Sequence, residues 1–125
     1  MDAKKIVDAF LFKYPGRNIV LLPPENPLEI ICEIEPTSEH PDYSIAVAAI
    51  DKSEPHCHKA STETYEVLRG RLILKLANRN VILYPGMNYV ILPKTVHSAE
   101  ADAAVVRVTS RPGWTPEDHV LVNEH

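Results

Sequence analysis

Glycine and cysteine are both scarce in this 125-residue chain, with four glycines and two cysteines, Cys32 and Cys57. Two thiols are too few to staple a disulfide scaffold, so stability has to come from a packed core, and the pair favours a reducing cytoplasm. A chain of this length reads as one domain, 1–125, burying roughly two thirds of the surface it exposes when unfolded. No run approaches the roughly 18 apolar residues of a membrane span. The opening segment 1–14 lacks the long apolar stretch and small-residue cleavage site of a secretory signal, so the expected location is cytoplasmic and no membrane partner is expected. Positive charge is in deficit as well: 13 Lys and Arg stand against 17 Asp and Glu, for a formal charge of −4. The longest basic run is Lys4-Lys5, and no stripe exists to neutralise a phosphate backbone, so nucleic acid is not expected as a partner.

Proline, by contrast, is plentiful at eleven residues. Many chain reversals of fixed φ suit an all-β domain better than a helical bundle. The exception is residues 2–14, which read as a helix capped by Asp2, with Ile6, Val7, Phe10, Leu11 and Tyr14 on one face and Pro15-Gly16 as its stop. Beyond it the pattern becomes short β-rich runs: Asn18–Leu22, Leu28–Ile34, Tyr43–Ile50, Glu63–Arg69, Arg71–Ala77, Asn80–Tyr84, Asn88–Leu92 and Ala103–Thr109. Strands at this spacing, with no helix recurring between them, predict a sandwich or barrel over about 18–110. The tail 111–125 reads as an extension wrapping that barrel.

Chemistry concentrates in Pro55-His56-Cys57-His58-Lys59-Ala60-Ser61-Thr62-Glu63. On an extended strand, side chains two apart share a face, so His56 and His58 project together as a bidentate clamp for a metal. Glu63 opens the next run and can bring a carboxylate to the same point. Cys57 alternates away from its neighbours and is expected to pack outward. By the same alternation Tyr65 and Val67 share the inward side with Glu63, while Thr64, Glu66 and Leu68 point away.

These residues resemble the first motif of the cupin superfamily: HxH, four residues, Glu, six residues, Gly, here His56, His58, Glu63 and Gly70. The second motif begins with Gly and ends with His eleven positions on, and Gly86 and His97 keep that spacing. Its interior differs: Leu92 stands where the motif has Pro, Lys94 where it has Gly, and Pro93 is displaced by one. The resemblance covers roughly residues 40–110. It implies an all-β, cupin-type double-stranded β-helix (jelly-roll) barrel with a short N-terminal helix, its metal held by His56, His58, Glu63 and His97.

Three imidazoles and a carboxylate suit one divalent ion among Mn, Fe, Co, Ni, Cu and Zn. If that ion is six-coordinate, two positions stay open to water or substrate, as in a catalytic site. The stretch around the first motif looks most like small single-domain cupins related to phosphomannose and other sugar isomerases. The expectation is therefore a metal-dependent enzyme acting on a small polar molecule such as a sugar or sugar phosphate. A non-haem metal dioxygenase and a non-catalytic metabolite-binding module are the alternatives. Lys59 and Tyr65 are weak candidates for a catalytic group, and Glu54, Tyr84, Lys94 and His119 for the barrel mouth, with Trp114 closing one end. Similar cupins commonly pair, so a homodimer is expected, with the helix or the tail at its interface.

Overall fold

The structure is a computed structural model that describes residues 1–122. The last three positions of the tail read as 111–125 lie outside the described residues. Helix α1 (Ala3–Lys13) starts as its sequence suggests: the Asp2 side chain accepts the Lys5 N–H at 3.2 Å, satisfying one of the free first-turn amides. Phe10, Ile6, Val7 and Tyr14 pack on Ile30, Cys32, Val47 and Ala49 of the sheet beneath. Leu11, placed on that face from its spacing, is instead 46% exposed beside a fully turned-out Phe12. The contact stripe of the helix is narrower than the five-residue apolar face.

Nine strands follow among the described residues: β1 (Asn18–Leu22), β2 (Glu29–Glu35), β3 (Ser44–His58), β4 (Thr62–Arg69), β5 (Leu72–Leu76), β6 (Asn80–Leu83), β7 (Asn88–Ile91), β8 (His97–Arg111) and β9 (His119–Leu121). Every pairing is antiparallel. The two 15-residue strands β3 and β8 run through both layers of the barrel. The first half of β3 pairs with the second half of β8 in the layer β1-β2-β3-β8-β4-β7. Their remaining halves pair with each other, with β9 on one side and β5-β6 on the other.

The corner between layers falls at a register shift after Ile50. There Asp51 accepts the Ala103 N–H at 2.7 Å and meets the N-terminal ammonium at 3.1 Å, while Ala103 takes a left-handed φ of 49°. The sequence reading ended the third strand at Ile50 and began the last at Ala103. The sequence pattern assigns residues 51–55 to no strand, but each long strand continues past a bulge that reorients it. The third strand thus carries the histidine pair, and β9, absent from the sequence reading, adds to its edge.

Alternation along the strands fills the barrel. Ala48, Ile50, Tyr65, Val67, Leu72, Leu74 and Val106 are all buried in one cluster. Each large aliphatic side chain of that kind contributes about 1.5–3 kcal/mol of transfer free energy. Gly70 turns β4 into β5 at φ +81°, and a Cβ there would lie 3.2 Å from the Ala104 backbone, so this glycine serves both turn and packing. No helix among the described residues is long and apolar enough to cross a membrane.

Candidate metal centre

His56 and His58 end β3 on one face, Glu63 is the second residue of β4, and His97 is the first of β8, directly across from His56. All four are buried, and one ligand atom from each lies within 4.8 Å of all the others. The turn before His97, where the second motif is broken, keeps its shape: Lys94, at the motif's glycine position, adopts φ +67° and donates its N–H to the His58 carbonyl at 2.6 Å. A lysine thus holds the left-handed conformation for which glycine is the usual residue, and His97 arrives in place.

The tautomers follow from the hydrogen bonds. A carbonyl only accepts, so Nδ1 of His56, 2.8 Å from the Glu54 carbonyl, and Nδ1 of His97, 2.9 Å from that of Thr95, each carry a hydrogen. That leaves Nε2 of both rings for the interior. His58 Nε2 and His97 Nε2 stand 2.9 and 3.1 Å from the same oxygen of Glu63, yet neither nitrogen of His58 has a hydrogen bond despite complete burial. Burial opposes ionisation of Glu63, but its contacts with His58 and His97 outweigh that and hold its carboxyl down at about 2. Burial, reinforced by His97, pushes His56 down to about 4. A neutral imidazole, an ionised carboxylate and two further ring nitrogens turned on that carboxylate, gathered at one point, are the donor set of a divalent transition metal. The cluster is suited to hold one.

The other sequence candidates divide. Tyr65 is buried with its ring perpendicular to that of His97, centres 6.0 Å apart. Val67 is buried beside it, and Glu66 reaches Arg107 on the outer face at 3.0 Å, so the expected alternation holds. Cys57 is half-buried and pairs with Val120 of β9, away from the four ligand atoms. The side chains of Lys59, Tyr84 and Lys94 are exposed. Glu54 is exposed too, and it serves the site through its carbonyl. His119 comes closest: its ring stacks on His56 with centres 4.5 Å apart, and Nδ1 accepts the Trp114 indole N–H at 3.3 Å. Burial, with His58 adding to it, lowers the pKa of His119.

Two groups escaped the sequence reading. Glu29 opens β2 opposite Ile50, and directly opposed residues share a face, so it faces the barrel interior with Ile31. Burial, with Glu63 adding to it, pushes its carboxyl up to about 7. Its alternation with Ile31 was the available signal. Asp118 reaches the site from the tail, its carboxylate taking the N–H groups of Ala60 and Ser61 at 2.7 and 3.1 Å. No local pattern announces that contact. A groove of about 340 Å³ is lined by Lys52, Lys75, Asn80, His97 and Glu100, with the Lys75–Glu100 ion pair at 2.8 Å in its wall.

No protein-family model and no curated protein matches this chain. Solved structures do. A Streptomyces PAC13 variant with uridine superposes with a TM-score of 0.75 at 13% identity over 88% of both chains. Pac13, a nucleoside dehydratase, is equally covered in a second structure at 0.72 and 14%. KdgF from Halomonas gives 0.65 at 21% over 76% of this chain and 87% of its own. A cupin-like protein from Thermotoga maritima gives 0.58 at 16%, covering 66% and 67%. At such identities the likeness speaks for architecture alone, and by that architecture this chain is a cupin-type barrel.

Proposed function

We propose that the protein is a metal-dependent enzyme in which His56, His58, Glu63 and His97 hold one divalent ion, and that it acts on a small polar molecule such as a sugar or sugar phosphate. The observation that carries this reading is the set of four buried ligand atoms within 4.8 Å, with His56 and His97 each fixed by a backbone carbonyl so that Nε2 turns inward. The ion would supply Lewis acidity, polarising a substrate carbonyl or hydroxyl. Proton transfer falls to side chains of the barrel face. Glu29, with its acid form persisting to about pH 7, is the best matched, and Tyr65 is the neighbouring hydroxyl. Lys59 drops out of that role because its side chain is exposed.

Sugar isomerisation uses such an arrangement by moving a proton between carbons beside the carbonyl. Elimination is the second reading, favoured by the likeness to Pac13, a nucleoside dehydratase of which a variant is solved with uridine. Elimination from a carbonyl compound, like isomerisation, begins with loss of a proton next to the polarised carbonyl. The test is metal analysis of tag-free protein, then NMR of a sugar, sugar phosphate and nucleoside panel in D₂O with each metal. Solvent deuterium appearing beside the carbonyl is the expected result. Oxygen uptake with the Fe²⁺ form would instead identify a dioxygenase, and saturable binding without turnover a binding module. We place the protein in the cytoplasm, as its unpaired Cys32 and Cys57 suit, and as a homodimer whose contact includes Leu11 and Phe12 of α1. Sedimentation of wild type against Phe12→Ser tests the pairing.

A further inference from the structure

His58 differs from the other two histidines of the cluster. His56 and His97 each have Nδ1 anchored by a carbonyl two residues back, but both ring nitrogens of His58 are buried and without a hydrogen bond. The polar atom facing its Nδ1 is Asp118 Oδ2, at 3.9 Å. Asp118 is itself firmly held. Its carboxylate caps the N–H groups of Ala60 and Ser61, its carbonyl accepts from the Lys59 N–H at 3.0 Å, and its own N–H meets Thr115. The strap carrying it then pairs through β9 with His56–His58, placing His119 against His56.

We propose that Asp118 is the positioning residue for His58, accepting its Nδ1 hydrogen when Nε2 binds metal, and that the strap 114–121 is thereby coupled to metal binding. The inference rests on the metal-centre reading of the cluster. A ligating histidine ordinarily gives its second ring N–H to a carboxylate or carbonyl, which fixes the tautomer and strengthens the ligand. Once Nε2 gives its lone pair to a metal, the hydrogen of a neutral His58 ring must sit on Nδ1, toward Asp118. A movement of about 1 Å brings 3.9 Å into hydrogen-bond range. His58 ends β3, and the next three residues, in the turn to β4, bond to Asp118, so a ring shift on one side and strap order on the other act on the same contacts.

The test titrates Zn²⁺ and Co²⁺ into tag-free, metal-stripped wild type, Asp118→Asn, Asp118→Ala and His58→Ala, each first checked by circular dichroism. Wild type is expected to bind one ion, and Asp118→Ala to bind about 10–100-fold more weakly, the usual loss for such a partner. Asp118→Asn, which keeps the shape and an acceptor oxygen, should fall between and shift the visible spectrum of bound Co²⁺. Amide exchange across 114–122 should slow on metal addition in wild type and not in Asp118→Ala. A purely structural Asp118 would lower the melting temperature while leaving metal affinity within twofold and the Co²⁺ spectrum unmoved, and that result overturns the inference alone. If Asp118→Ala does not fold, the Co²⁺ spectrum and affinity of Asp118→Asn decide. Failure of wild type to bind either ion, or undiminished binding by His58→Ala, removes the metal-centre reading and this inference with it.

Discussion

Glu29 shows what burial does to a single carboxyl. Its folded value of about 7 lies above the ordinary 4.5, so between those values the folded chain holds a proton that the unfolded chain has lost. Stability is then lost as pH rises from about 4.5 through 7. Glu29→Gln should remove that loss, raising the stability of metal-free protein at pH 8 by about 1–3 kcal/mol and leaving it unchanged at pH 4. Denaturant melts at the two pH values check this, and an equal effect at both would show the carboxyl to be unperturbed. His56 works in the opposite sense. Its folded value near 4 lies below the ordinary 6.5, so its contribution is full above 6.5 and disappears as pH falls through 4. Metal-free wild type should weaken across that window, and His56→Ala should reduce the slope by at most one proton, about 1.4 kcal/mol per pH unit.

The turns and corners decide whether these residues meet. Lys94 occupies a left-handed turn that costs a side chain about 1–2 kcal/mol, partly offset in a glycine variant by the freer unfolded chain. Lys94→Gly should therefore raise stability by about 0.5–1 kcal/mol without altering metal affinity, since the turn already has the shape the glycine would adopt. The corner behaves differently, because Asp51 satisfies the Ala103 N–H where β8 bends. Asp51→Ala should lower stability by about 1–3 kcal/mol, the penalty of an amide left unpaired in a partly buried place. Both are read from chemical melts. Eight of the nine strands were legible in the sequence because alternation and turn residues mark them, whereas the lengths of β3 and β8 were not. A bulge hides a continuing strand behind polar residues, and β9 is too short to show a period.

At the scale of the molecule, the apolar interior and the ligand cluster are separate sources of order. The buried set around Val67, Leu72, Leu74 and Val106 includes none of the four ligands, although β4 and β8 contribute to both. Chelation or His58→Ala should accordingly leave the β-sheet spectrum and a cooperative melt intact while abolishing metal binding. Metal at about 100 times its dissociation constant should add about 2.7 kcal/mol by mass action. Loss of the cooperative transition on chelation would mark the metal as structural and weaken the enzymatic reading.

The resemblance of the motifs implied that Glu63 and His97 join the cluster in a barrel; by itself the sequence determined the division into one helix and an all-β remainder, and the shared face of His56 and His58. Those depend on local periods of 3.6 and 2 and on fixed spacings between turns, which are written along the chain. Tertiary structure alone decided that Glu29 faces the interior, that His119 stacks on His56, and that Asp118 comes to His58. Each of these meetings joins residues far apart in the sequence, and only closure of the sheet into a barrel, with the tail laid along β3, brings them within reach.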